Sequence, residues 1–322
     1  MAAIVTHRIR IVNNLQLAVQ GRVHPPERYS SSVPASNPRI AVLGSINMDL
    51  ITRAPSLPEP GETVLGTSFT TSPGGKGSNQ AIAAAKAGVP VSFIGAVGDD
   101  EFGETLRRTL SSAGVDDRAL RTTAGSSGIA AITVDDHAEN NIVVVPGANE
   151  RVRDLTDDDL TVISDADILL CQLEIPLATV VTAFEYARSR GVVTMLNPSP
   201  VQDLPDALVA ATDVLVVNEA EESRLGNRLN EVTHVITTLG ARGARYRGSE
   251  SFEVPAPRVD AVDTTGAGDA FAGALAASWF DGPRKAVEWA CVAGSFAATR
   301  PGASTSSGTR EDIDAMRDAA TG

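Results

Sequence analysis

The sequence has little of the chemistry that several classes of protein require. It contains only two cysteines, Cys171 and Cys291, no Cys-x-x-Cys pair, and four histidines without the spacing of metal ligands. It also lacks Gly-x-Ser-x-Gly, and no Gly-x-Gly-x-x-Gly follows the first predicted strand. These absences disfavour zinc sites, serine-nucleophile sites and dinucleotide-binding loops. Both cysteines lie in apolar runs, so we predict buried, reduced thiols and an intracellular protein.

Positive charge and long apolar runs are also scarce. Lysine and arginine number 27 against 40 acidic residues, which gives a formal net charge of −13. Such a chain is a poor candidate for binding nucleic acid or an anionic membrane, and a polyanionic substrate needs a local positive site. No apolar run approaches the roughly 18 residues that span a bilayer. The 322 residues suffice for one large α/β domain or two smaller ones.

The first segment, residues 1–38, differs from the rest in composition. It carries four arginines before Ser30 against a single acid, Glu27, and it ends in a serine-rich stretch. Arginine- and serine-rich composition with few acids is typical of an organelle transit peptide. We favour a disordered leader ahead of a domain over 39–322, which predicts a cytoplasmic protein. A cleaved transit peptide would instead place it in an organelle.

Strand-like and helix-like segments alternate through the domain. This alternation predicts an α/β fold with a mostly parallel central sheet and helices on both faces. Two patches, about 50–72 and 128–146, lack intervening helices, look antiparallel, and are expected to form a small separate sheet. Within the first patch, alternation over Glu62–Thr71 predicts an exposed strand. The acidic run Asp157–Asp159 is interpreted as a solvated helix start.

The stretch Asp263–Asp269 (Asp-Thr-Thr-Gly-Ala-Gly-Asp) precedes an apolar run of helical composition. Glycines bring backbone N–H groups close to a ligand, and a helix N-terminus adds partial positive charge. Together they favour an anion site that suits phosphate. A carboxylate beside phosphate is explained if Asp269 takes a proton from an attacking hydroxyl. The alternative is a simple turn with Asp269 as the helix N-cap.

A second glycine-rich loop is predicted over Ser72–Asn79, before a helix that stops at Gly88. It is not a Walker A loop, because Lys76 is followed by Gly77 rather than by serine or threonine. Lys76 and Asn79 are suitable donors for a polar organic ligand. The alternative is a helix N-terminus with glycine for the turn.

Polar side chains also follow several predicted strands. Asn47 and Asp49 lie two residues apart, so their side chains can point the same way. Glu174 follows another strand, and ligands of parallel sheets sit beyond strand ends. Oxygens of Asn218–Glu221 suit hydrated magnesium. Asx turns and helix N-caps explain such residues equally well.

These segments, in this order, resemble the phosphofructokinase-B, or ribokinase-like, family of carbohydrate kinases over about residues 39–317. Gly74–Asn79 resembles the first family signature and Asp263–Asp269 the second. Two long signatures at the right separation are far more specific than either alone. Four further segments point to the members that act on ribose: Ser45–Asp49, Gln172–Glu174, Leu196–Pro200 and Asn218–Glu221.

The resemblance implies ATP-dependent phosphorylation of D-ribose at the 5-hydroxyl, with Asp269 as the general base. Backbone N–H groups in the run Gly266, Ala267, Gly268 and Asp269 would hold the developing charge. The residues expected to bind the sugar are Asn47, Asp49, Gly75, Lys76, Gly77, Asn79, Glu174 and Asp269. Those expected at the nucleotide are Asn218, Glu221, Thr238, Leu239, Gly240, Ala241, Arg242, Gly243 and Gly268.

The resemblance also implies Mg²⁺, ordered with its waters by Asn218 and Glu221, and activation by K⁺. The positions expected at the K⁺ site, mostly through carbonyls, are Asp263, Thr265, Ala297, Arg300, Gly302 and Ser306. The two patches would form a β-lid that closes over the sugar and joins two subunits as a homodimer.

One departure from the family is a shortened chain between Asn218 and Thr238, where a helix around 226–231 is expected to be missing or reduced. This departure keeps an alternative open, a catalytically inactive sugar- or nucleotide-binding homologue. A kinase for another sugar or a nucleoside of the same family is the other alternative.

Overall fold

The computed structural model describes residues 38–137 and 139–321, so the predicted leader, 1–38, lies outside it except for Pro38. The described strands are β1 (Ile40–Leu43), β2 (Asn47–Arg53), β3 (Ser68–Gly74), β4 (Val91–Gly98), β5 (Leu120–Thr123), β6 (Gly128–Val134), β7 (Asn140–Val145), β8 (Ile168–Cys171), β9 (Val193–Leu196), β10 (Val214–Asn218), β11 (His234–Thr238), β12 (Ala244–Arg247) and β13 (Ser251–Val254). The described α-helices are α1 (Lys76–Lys86), α2 (Glu101–Ser112), α3 (Asp157–Asp165), α4 (Leu177–Ser189), α5 (Asp206–Ala210), α6 (Glu219–Leu225), α7 (Ala267–Ser278), α8 (Pro283–Ala298) and α9 (Arg310–Thr321).

The main sheet has nine described strands in the order β13-β12-β11-β10-β9-β8-β1-β4-β5. All neighbours from β11 to β5 pair in parallel, and only β12 and β13 are antiparallel. Helices connect most of the parallel strands, as right-handed crossovers require. The predicted α/β class with a mostly parallel central sheet is confirmed.

Alternating side chains of the central strands supply two cores. In β1, Ile40 and Val42 belong to one buried cluster, whereas Ala41 and Leu43 belong to the other. This period of two places one cluster on each face of the sheet. Helices α7 and α8 cover the first face with Leu275, Trp279 and neighbouring small residues. The sheet is therefore buried on both sides, which explains its near-continuous apolar strands.

The second sheet contains four described strands in the order β3-β2-β6-β7. Its outer pairs are antiparallel, but β2 and β6 run parallel over seven residues, from Asn47 opposite Gly128 to Arg53 opposite Val134. The small separate sheet is confirmed, but the expectation that its strands are all antiparallel was wrong. The exposed strand expected over Glu62–Thr71 exists, but its bounds were wrong. The strand begins at Ser68, because pairing with β2 starts there.

The predicted glycine-rich loop 72–79 is mostly regular structure. Strand β3 ends at Gly74 and helix α1 begins at Lys76, so Gly75 alone separates them. Helix α3 starts at the acidic run as expected, with Asp157 and Asp158 exposed, but Asp159 is 1% exposed. Its carboxylate accepts from the Thr156 backbone N–H in a capping box and pairs with Arg121.

The shortened segment after Asn218 forms helix α6 followed by a 3₁₀-helix over Gly226–Glu231. Leu225 and Leu229 are buried in the core on this side of the sheet. The Leu229 carbonyl accepts from Arg247 Nη2 at 2.7 Å, and Arg228 Nη2 donates to the Leu204 carbonyl at 2.7 Å. The reduced helix therefore still covers the flank of the sheet, with backbone carbonyls held by arginines.

Both cysteines are free and buried, as predicted. Burial raises the pKa of the Cys291 thiol to about 12, so it remains protonated at neutral pH. No helix among residues 38–137 and 139–321 combines the length and apolar character needed to cross a membrane.

Candidate active site

The candidate site residues gather at the carboxyl ends of the parallel strands. Glu174 follows β8, Asn197 follows β9, and Asn218 and Thr238 end β10 and β11 as register partners. Parallel strands place their carboxyl ends at one edge of the sheet, which is where ligands of α/β proteins bind. The tertiary structure thus brings together groups that stand far apart in the sequence.

Asp269 lies in the first turn of α7 and is 8% exposed. Gly266 caps this helix in the left-handed conformation, with φ of 74°, and a Cβ there would lie 2.7 Å from Ala303 Cα. A side chain is excluded by both features. The Ala267 N–H donates to the Thr264 carbonyl at 3.2 Å, whereas no oxygen among the described residues accepts from the N–H of Gly268 or Asp269. These two N–H groups point to an anion site at the helix start.

Two side-chain amides hold the Asp269 carboxylate. Asn79 Nδ2 donates to Oδ2 at 3.0 Å, and Gln80 Nε2 donates to Oδ1 at 3.0 Å. Burial raises the pKa of Asp269, and the charge of Lys76 and both amide hydrogen bonds oppose that rise. Burial thus favours the protonated acid, whereas Lys76 and the two amides favour the carboxylate that a proton acceptor needs.

Asp49 and Glu174 place further acidic groups near Asp269. Burial, followed by the negative charges of Glu174 and Asp269, raises the pKa of Asp49 to about 7. Glu174 Oε2 accepts from the Ser45 hydroxyl at 2.5 Å and from the Lys76 backbone N–H at 3.1 Å. Asn79 Oδ1 is buried and has no hydrogen-bond partner among the described residues. Such acceptors suit a ligand that presents several hydroxyl groups.

Asn47 and Asp49 lie within strand β2 of the small sheet, on the same face. Asn47 Oδ1 accepts from Asn149 Nδ2 at 2.7 Å. At Gly74, the register partner of Asn47 in β3, a Cβ would lie 2.2 Å from Asp49 Oδ2. Glycine is therefore required there for the Asp49 carboxylate to lie against the neighbouring strand.

The predicted nucleotide residues form a separate group. Asn218 and Glu221 form a capping box, in which Asn218 Oδ1 accepts from the Glu221 N–H at 2.8 Å and Glu221 Oε2 accepts from the Asn218 N–H at 2.9 Å. Thr238 is followed by Leu239 and the 3₁₀-turn Gly240–Arg242, which contains Ala241 and leads to Gly243. The N-cap alternative is thus realised, and one Glu221 carboxylate oxygen remains to accept from a ligand or water.

The predicted cation residues lie in two loops that Asp263 joins. Its Oδ1 accepts from the Thr265 N–H at 2.9 Å and its Oδ2 from the Gly302 N–H at 2.9 Å. Partial burial opposes ionisation, but hydrogen bonds from Thr265 and Gly302 outweigh it and lower the pKa of Asp263. Ala297 lies in the last turn of α8, shortly before Arg300, and Ser306 Oγ donates to the Ala303 carbonyl at 2.7 Å. The donor set is one of oxygens, which fits a monovalent cation.

Sequence reasoning missed a group of polar side chains that support these residues, all buried except the half-buried Asn197. They are Ser45, Gln80, Asn149, Gln172 and Asn197. All five lie inside or beside predicted motifs, and a polar residue in an otherwise apolar segment was the available signal.

The family described as "pfkB family carbohydrate kinase" matches residues 37–310. The chain belongs to this family, and it is a carbohydrate kinase. Ribokinase from Bacillus subtilis is 37% identical over 289 residues, covering 86% of this chain and 98% of that protein. Deoxyribokinase from Salmonella typhimurium is 36% identical over 260 residues, covering 74% and 84%. The structure of Arabidopsis thaliana ribokinase complexed with ribose and ATP matches with a TM-score of 0.82 and 28% identity, covering 88% and 99%. The resemblance inferred from the two signatures is confirmed.

Proposed function

We propose that this kinase transfers the γ-phosphoryl group of ATP to the 5-hydroxyl of D-ribose. The observation that carries the proposal is Asp269, a buried carboxylate at a helix start beside two unpaired backbone N–H groups. Supporting it, the acceptors of Asp49, Asn79 and Glu174 border the same pocket. Three relatives named ribokinase cover 85–86% of this chain at 34–37% identity.

In this proposal Asp269 takes the proton of the 5-hydroxyl as its oxygen forms a bond to the γ-phosphorus. The bond from that phosphorus to the bridging oxygen breaks, and ADP leaves. The N–H groups of Gly268 and Asp269 face the charge that develops on the transferred group. Such a site contributes mainly by positioning the two reactants and by stabilising charge.

Two cations complete the proposal. Glu221 and Asn218 would order Mg²⁺ through water, and the ion would neutralise charge on the phosphates. Carbonyls of the loops around Asp263 and Gly302 would hold K⁺, which would add positive potential beside the helix start. The ionised state of Asp263 and the oxygen-rich loops fit this role.

We further propose that the small sheet is a lid over the sugar and joins two subunits. Its edge strand β7 exposes four consecutive apolar residues, Ile142–Val145, each at least 45% exposed. An exposed apolar edge strand is suited to pairing with a second copy. Light scattering is expected to give a dimer, and Val143→Lys is expected to give monomers. We also propose that the protein is cytoplasmic.

The test is ADP release from ATP and Mg²⁺ across a panel of sugars and nucleosides, with and without K⁺. Turnover with ribose, raised by K⁺, is expected. Preference for another sugar or a nucleoside would refute ribose as the substrate but would still support phosphoryl transfer from ATP. Ligand-induced thermal stabilisation without ADP release from any substrate would refute the kinase reaction and favour an inactive binding homologue.

A second candidate substrate is 2-deoxyribose, because the Salmonella relative is named a deoxyribokinase at 36% identity. The two sugars differ only at the 2-hydroxyl. A site that hydrogen-bonds this hydroxyl loses affinity for the deoxy sugar, since a buried polar group is left unpaired. The ratio of kcat/KM for the two sugars decides between them.

A further inference from the structure

A chain of carboxamides, of which Gln80 and Gln172 are buried and Asn197 is half-buried, ends on the proposed base. Gln80, on α1, is fully buried, and its Nε2 donates to Asp269 Oδ1 and to Asn197 Oδ1, both at 3.0 Å. Its Oε1 accepts from Gln172 Nε2, and Gln172 is also fully buried. Asn197 Nδ2 donates to the Val216 carbonyl at 3.0 Å. Strand ends of β8, β9 and β10 are thus linked through Gln80 to α7.

The chain leaves Gln80 with a single satisfactory orientation. Flipping its amide would set Oε1 against the oxygens of Asp269 and Asn197, and Nε2 against the Gln172 amide nitrogen. Gln172 Oε1 has no hydrogen-bond partner among the described residues. A buried oxygen without a partner costs roughly 1–3 kcal/mol, so the orientation is retained at a cost to stability. Functional sites are where such costs are expected.

We propose that Gln80, oriented by Gln172, is a positioning residue that holds Asp269 as a carboxylate aimed at the sugar hydroxyl. This inference rests on the proposed role of Asp269. An amide N–H can only donate, so at Oδ1 it stabilises the ionised form. Asn79 does the same at Oδ2. Gln80 differs from Asn79 because it is fully buried and is not among the residues expected to bind the sugar.

In addition to the two neutral amides, three ionisable side chains lie near Asp269. Lys76 on α1 lowers the pKa of Asp269 and Glu174 raises it, whereas Asp49 on β2 titrates at about 7. Asp49 can therefore contribute its own step to any pH profile. A test of Gln80 has to separate the two carboxyl groups.

The experiment compares wild type with Gln80→Met, in the native chain and in an Asp49→Asn background. kcat is measured against pH at saturating sugar and ATP. The acid limb of this profile, where kcat falls as the pH is lowered, is expected to move to higher pH by about one unit in both backgrounds, because a hydrogen bond to a charged group is lost. Sugar affinity, measured by calorimetry, is expected to stay within about threefold. Gln172→Met is expected to produce a smaller shift of the same sign, since it removes only the orienting contact.

A lower kcat with an unmoved acid limb would overturn the proposal and leave Gln80 a packing residue. A shift that vanishes in the Asp49→Asn background would also overturn it, by assigning the step to Asp49. If Gln80→Met does not fold, Gln80→Glu replaces it, and its added acid is expected to move the limb further upward. Inactivity of the wild type with every substrate would instead refute the proposed function.

Discussion

Replacing Asp49 with asparagine tests whether the sugar pocket destabilises the free protein. The pKa of Asp49 rises from its ordinary value of 3.8 to about 7, first through burial and then through Glu174 and Asp269. The folded state therefore holds its proton more tightly than the unfolded state. The contribution of Asp49 to the stability of the folded protein is therefore fully present below about pH 4 and is lost as the pH rises through 7.

The size of the effect follows from the same shift. A rise from 3.8 to about 7 corresponds to about 4 kcal/mol at alkaline pH. Because Asp49 is partly open to water, we discount this to about 2 kcal/mol. Asp49→Asn keeps the shape of the side chain and removes the charge. The variant should therefore be about 2 kcal/mol more stable than wild type near pH 8.5, and less than about 1 kcal/mol more stable near pH 5.

The assay is urea unfolding at both pH values, with the exposed Asp136→Asn as the matched control. The control is expected to follow wild type at each pH. Sugar affinity should fall about 10- to 100-fold in Asp49→Asn, since a charged acceptor is worth about 1.5–3 kcal/mol. A variant less stable than wild type near pH 8.5, or one with unchanged sugar affinity, would refute this account of the pocket.

Three further substitutions probe other parts of the site. Asp269→Asn should lower kcat by about 10²- to 10⁴-fold while sugar affinity by calorimetry changes little, and near-normal kcat would contradict its role as base. Gly266→Ala should cost more than about 1 kcal/mol in thermal unfolding, because of its φ of 74° and the contact with Ala303, whereas a Cβ at Gly268 meets no atom within 4 Å and should cost less. Lys86 Nζ donates to the carbonyls of Ser304 and Ser307 at 3.0 Å, so Lys86→Met should destabilise the protein by about 1–3 kcal/mol and weaken the thermal stabilisation by K⁺ over Na⁺. Equal stabilisation by K⁺ in Lys86→Met and wild type would show that Lys86 does not support the proposed K⁺ site.

Local patterns in the sequence were sufficient for the fold class and for the two signatures. A continuous apolar run such as Ile40–Leu43 indicates a strand buried on both faces, because each face receives every second side chain. Glycines at Gly74–Gly75 and Gly266 indicate backbone positions where a side chain does not fit. The bounds of β3 and the parallel pairing of β2 with β6 were not predictable this way, because they depend on which strand lies alongside.

The environment of the base was decided only by the tertiary structure. The amides of Asn79 and Gln80 reach Asp269 across 190 and 189 residues of chain. The pKa of Asp49 depends on burial and on carboxylates that come from β8 and α7. The amide contacts arise because helix α1 packs against helix α7, and Glu174 joins them from the carboxyl end of a parallel strand. Local propensity determines each element, but only the packing of those elements determines which charges meet.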